Sequence, residues 1–107
     1  MIKVSVLYPY SPTARFDHDY YRDRHMPLLK ERMGKHCLYY SIDRGLPAPG
    51  SETAPAYFAM CHIICESMDS FVAGIGPHAE EITADVSHYT DVQPIQIFSS
   101  MVVERSH

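Results

Sequence analysis

The first eight residues, MIKVSVLY, alternate Ile2, Val4, Val6 and Tyr8 with Lys3, Ser5 and Leu7. A period of two predicts a β-strand. PYSPTARF follows, a loop marked by Pro9 and Pro12. Residues 17–34, DHDYYRDRHMPLLKERMG, change to a helical period, with Asp17 as N-cap and Gly34 where the helix stops. HCLYYSIDRGL, residues 36–46, is rich in aromatic and β-branched side chains and predicts a second strand. PAPGSETAP, residues 47–55, reads as a loop. AYFAMCHIICE, residues 56–66, is a nearly unbroken apolar run, which predicts a strand buried on both faces. Ser67 caps a short helix, SMDSFVAGI, which Gly74 and Gly76 weaken, and Pro77 restarts the chain as HAEEITADV. VQPIQIFSSMVVE reads as the last strand, and Pro94 argues for an edge position or a bulged start.

The order β-α-β-β-α-β predicts an α+β fold of the ferredoxin-like kind, a four-stranded antiparallel sheet with helices on one face. Strands one, three and four carry apolar residues at both parities, so the uncovered face is expected to meet a second copy, making a homodimer. At 107 residues the chain is expected to form a single domain, 1–107. Apolar residues make up 46% and charged residues 21%, ordinary values that argue against disorder. Nine basic residues face 13 acidic ones, and the basic residues are scattered, so nucleic acid is not an expected partner. No apolar run reaches the ~20 residues of a membrane span, and MIKVSVLYP does not read as a signal peptide. The expected location is the cytoplasm, and no membrane partner is expected. Cys37, Cys61 and Cys65 lack metal-ligand spacing. On one strand Cys61 and Cys65 would lie roughly 13 Å apart at about 3.3 Å per residue, too far for a disulfide. Reduced, partly buried thiols are expected.

The candidate chemistry centres on the first helix. Tyr21, His25, Leu28 and Arg32 follow at i, i+4, i+7 and i+11, and Leu28 and Leu29 are expected to mark the side facing the sheet. That turns His25, and with it Tyr21, inward. An inward histidine is either a core residue held by a neighbour or a group that moves a proton to and from a bound substrate. Pro27 stands two residues on, in a helix interior where proline ordinarily costs about 3 kcal/mol. It frees the carbonyl of Asp23 and bends the helix, either to open space around His25 or to wrap the helix over a twisted sheet. Tyr39 and Tyr40 take opposite faces of strand two, as do His62 and Cys65 on strand three, so each pair offers one residue to the helix side. There is no HxxxH, CxxC or HExxH spacing and no Gly-rich phosphate loop. Neither a metal nor another cofactor is expected.

MIKVSVLYP, FDHDYYRDRHMPLL and GPHAEEITADVSHYTDVQPIQIFS together resemble the EthD family of small bacterial proteins. The specific parts are Tyr21-x3-His25-x-Pro27-Leu28, Gly76-Pro77-His78 and Tyr89-Thr90-Asp91-x2-Pro94. The resemblance implies a dimeric α+β barrel in which two protomers pair their bare sheet faces, each keeping a cleft between helices and sheet. The wider superfamily holds cofactor-free monooxygenases, muconolactone-type isomerases, haem enzymes and stress proteins, and the family is named for an accessory of an ether-degrading oxygenase system. The resemblance places His25 and Tyr21 in the cleft as catalytic residues, with Tyr39, Tyr40, His62 and Cys65 as candidate substrate-binding residues. The expected ligand is a small apolar carbonyl compound or aromatic catabolite. The expected activity is cofactor-free isomerisation or oxygenation; the alternative is a non-catalytic accessory or carrier. His78 and Asp91 are expected to hold turns.

Overall fold

The computed structural model describes residues 1–105. Four strands, β1 (Ile2–Pro9), β2 (Tyr39–Arg44), β3 (Tyr57–Cys65) and β4 (Ile95–Ser100), form one antiparallel sheet in the order β2-β3-β1-β4. The first helix covers residues 18–33, and a second segment comprises helices Met68–Ile75 and Ala79–Asp85 joined by the turn Gly76–His78. The expected α+β ferredoxin-like architecture is therefore present. Asp17 accepts from the Tyr20 backbone N–H at the first helix's start, and Ser67 from that of Ser70 at the second's. Gly34 ends the first helix at φ 56°, a conformation in which a Cβ would be strained.

The first helix is not α-helical throughout. Between an α turn (His18–Tyr20) and an α segment (Met26–Met33) lies a π turn, Tyr21–His25, where the Met26 N–H donates to the Tyr21 carbonyl. The extra residue shifts the helix's phase. The buried side is Tyr21, His25, Met26, Leu29 and Met33, while Leu28 is only half-buried and Arg32 pairs with Glu81 at 2.8 Å. Pro27 thus sits in the first turn of a new α segment, where a missing N–H is best tolerated.

Register assigns every sheet residue a face. Val4, Val6 and Tyr8 of β1 and Ala59, Cys61, Ile63 and Cys65 of β3 point toward the helices and build the core with Tyr21, Met26, Leu29, Met33, Phe71, Ile82 and Tyr89. Lys3, Ser5, Leu7, Met60, His62 and Ile64 point the other way. β3 departs from the expectation of two buried faces: burial alternates along most of it, and only Ile63–Cys65 are buried consecutively. One face of the sheet lacks a helical cover, and Ile95 and Ile97 of the edge strand β4 remain 45% and 44% exposed there.

Candidate functional site

Helices and sheet enclose a cleft of about 800 Å³. Its walls are mainly apolar, with Val6 and Ile63 from the sheet and Leu29, Phe71 and Ile82 from the helices. His25 and Tyr21 reach it from the π turn. The wide turn brings positions i and i+4 nearly above one another, and the two rings lie stacked at 5.8 Å with 16° between their planes.

His25 is 4% exposed, and its Nδ1 lies 2.9 Å from Oδ2 of Asp85 on the Ala79–Asp85 helix. The other Asp85 oxygen accepts from the Tyr20 hydroxyl at 2.8 Å. Burial pushes the Asp85 carboxyl up, but the hydrogen bonds from His25 and Tyr20 outweigh it and leave it below the ordinary carboxylate value. Burial pushes the His25 imidazole below 6.5, and Asp85 opposes this only in part. A neutral imidazole beside a carboxylate donates its Nδ1–H to it. Nε2 is then the basic nitrogen, and it has no hydrogen-bond partner among the described residues.

Beside this pair lies a tyrosine cluster. The hydroxyls of Tyr8 and Tyr89 are 2.5 Å apart, and the Tyr21 and Tyr89 rings are 5.0 Å apart. The Tyr21 hydroxyl is buried without a partner, near the Cys61 thiol. Burial pushes Tyr8 up to about 12 and Cys61 up to about 11, so both stay protonated at neutral pH. Tyr89 is held by the loop before the first helix. Asp17 N–H donates to the Tyr89 carbonyl at 2.7 Å, Thr90 Oγ1 to the Arg15 carbonyl at 2.7 Å, and Arg15 N–H to Asp91 Oδ1 at 2.9 Å. The Arg15 guanidinium donates to the Ser87 carbonyl at 2.8 Å, closing the end of the third helix.

The other candidates lie elsewhere. Tyr40 and Cys65 face the helices but do not line the cleft; Tyr40 is half-buried against the core, and Cys65 is fully buried opposite Ile2. Tyr39 and His62 face the opposite side of the sheet. There Tyr39 donates to Glu104 at 2.8 Å, and His62 lies 2.7 Å from Ser5 Oγ and 3.1 Å from Asp43 Oδ2. All three thiols are free and buried. Asp91 joins two loops, as its turn role requires. Asp85, Tyr8, Tyr89 and Cys61 enter the site without having been singled out as site residues from the sequence.

Among the described residues no helix is long and apolar enough to cross a membrane, and no three His, Cys, Asp or Glu side chains gather where they could hold a metal. Fold and site thus define a class: small α+β proteins with a histidine–carboxylate pair beside a cleft between one sheet and its helices. The chain belongs to the EthD family, whose model, described as the EthD domain, matches residues 11–93. No protein among the curated sequences matches it. The crystal structure of an EthD-like protein from Ralstonia eutropha JMP134 is 50% identical, with a TM-score of 0.92 over 98% of this chain and 95% of that one. An ethyl tert-butyl ether (EthD) family protein from Bacillus halodurans C-125 is 15% identical, with a TM-score of 0.70 over 94% of this chain and 97% of that one. An Arabidopsis thaliana protein is 9% identical, with a TM-score of 0.69 over 98% and 99%. The last two are similar in fold alone.

Proposed function

We propose that the cleft binds a small, largely apolar carbonyl compound and that His25 moves a proton on it without metal or nucleotide. The observation that carries this reading is the His25–Asp85 pair at 2.9 Å, with the second imidazole nitrogen left unengaged beside the cleft. Asp85 fixes the tautomer, and burial keeps the imidazole neutral, so Nε2 is ready to accept a proton at neutral pH. The apolar walls exclude water from the reacting centre. Proton removal next to the carbonyl and its return at another carbon make an isomerisation, which needs no further reactant.

The uncovered sheet face supports a homodimer. Leu7, Met60, Ile95 and Ile97 share it, an apolar surface that a second copy would bury.

A thermal-shift screen of wild type and His25→Ala against lactones, quinones and small aromatic ketones tests the reading. The expected result is a compound that stabilises wild type, loses its effect in the variant and is turned over. A compound bound equally by both proteins would contradict the role of His25. A compound bound but never converted would make the protein a carrier.

A further inference from the structure

Tyr20 and His25 stand five positions apart on the first helix and hold the two oxygens of one carboxylate. Tyr20 donates to Asp85 Oδ1 at 2.8 Å, and His25 Nδ1 lies 2.9 Å from Oδ2. A regular α-helix turns about 100° per residue, so positions five apart point about 140° away from each other. The π turn Tyr21–His25 lies between them and takes up one extra residue. Both side chains then emerge toward the Ala79–Asp85 helix. The π turn lets one helix grip both oxygens of Asp85.

The grip fixes both the shape and the charge of the carboxylate. The Asp85 side chain is 15% exposed, so little water reaches it, and these two donors take its place. The terminal torsion of an aspartate is soft, and a carboxylate held at one oxygen can turn about it. Held at both, it keeps one orientation toward the imidazole. Two donors also draw on the same negative charge, so the phenol leaves less of it for His25. The bond to Asp85 pushes the Tyr20 phenol above its ordinary value, so it remains a donor at neutral pH. The Tyr20 ring is itself held in a stack, 5.6 Å from His88 and 6.3 Å from Tyr89. His88 and Glu81 also act on Asp85 by charge, Glu81 being paired with Arg32 at 2.8 Å, and Arg24 acts on Tyr20. Among the described residues none of these four hydrogen-bonds to Asp85.

We infer that Tyr20 is a positioning residue for His25, fixing the second oxygen of Asp85 and sharing its charge so that the imidazole keeps one tautomer and remains unprotonated. The inference rests on the acid–base reading above and adds a residue to its machinery. A phenol that merely pinned the two helices together would leave the imidazole's titration where it was.

Nitrogen-15 NMR of the His25 imidazole from pH 8 to pH 5 tests this with no ligand present. Tyr20→Phe keeps the stacked ring and removes only the hydroxyl. The expected result is that His25 takes up its proton at higher pH than in wild type. With Asp85→Asn already in place, adding Tyr20→Phe should change nothing, because the effect runs through the carboxylate. 3-Fluorotyrosine at position 20 is a stronger donor of nearly the same shape and should move the titration to lower pH. It carries the test if the phenylalanine variant does not fold. A titration unmoved or lowered by Tyr20→Phe, the same rise with asparagine at position 85, or no response to fluorotyrosine would overturn the inference. Deuterium exchange into 2-tetralone is measured in parallel. Exchange that needs His25 while the titration ignores Tyr20 leaves the proton-transfer reading standing and removes the role of Tyr20. A titration that follows Tyr20 with no exchange in any variant does the reverse.

Discussion

His25 Nδ1 and Asp85 Oδ2 lie 2.9 Å apart across 60 residues of sequence, joining the π turn of the first helix to the end of the third. The contact decides which imidazole nitrogen is the base. Asp85→Asn keeps the shape but lets the side chain present either an acceptor or a donor, so the Nδ1–H tautomer loses its advantage. Nitrogen-15 spectra of the imidazole should show one tautomer in wild type and a mixture in the variant. A proton-transfer activity should fall by about 10²-fold or more, as for other misoriented histidines.

Acid should weaken the fold through His25. Its folded-state value lies below the 6.5 of an unperturbed imidazole, so the unfolded chain binds the proton first. Stability from this group is present above pH 6.5 and is lost as pH falls from there toward the lowered value. Denaturant midpoints from pH 8 to pH 5 should decline less steeply in His25→Gln than in wild type. An acid limb in any activity profile should lie below pH 6.5. In Asp85→Asn it should move lower still, because Asp85 raises the imidazole value.

The local pattern carried most of the fold and little of the site. Alternation in MIKVSVLY, the caps Asp17 and Ser67 and the stop at Gly34 act within a few residues, and each is present in the structure. The parity of Tyr39 against Tyr40, and of His62 against Cys65, was equally legible. Which member faced the helices was not, because that depends on where the helices dock across β1 and β3. The π turn has no composition signal here, and with its extra residue only Leu29 of the expected pair Leu28 and Leu29 is fully buried, Leu28 being half-buried. Asp85 and Tyr89 stood in view within the helix-ending segment, but their partners His25 and Tyr8 lie 60 and 81 positions away. Only the packing of the helices on the sheet brings them together.

Pro27 should matter less than an interior proline. It occupies the first turn after the π turn, so Pro27→Ala should change stability by less than about 1 kcal/mol, against the roughly 3 kcal/mol of a mid-helix site. Urea unfolding measures the difference. A gain near the larger figure would mean that the π turn exists only because of the proline.

Cys61 should be inert in the folded protein. Burial raises its thiol to about 11, and it is 2% exposed, so alkylation by iodoacetamide at pH 8 should be slow until the chain unfolds. Mass spectrometry of native and denatured samples distinguishes the two rates.

The bare sheet face should hold two chains together. Wild type should sediment as a particle of twice 12.2 kDa at micromolar concentration, and Leu7→Asp, which puts a carboxylate beside Met60 and Ile95 on that face, should sediment as the monomer. A monomeric wild type would remove the dimer.

The central claim is that His25 acts as a base toward a ligand in the cleft. Deuterium exchange at C1 of 2-tetralone, followed by NMR at pH 7 with wild type and His25→Ala, tests it most directly. Exchange above the buffer rate is expected with wild type, and a fall to that rate with the variant. Wild-type exchange no faster than buffer, or equal exchange in both proteins, would contradict it.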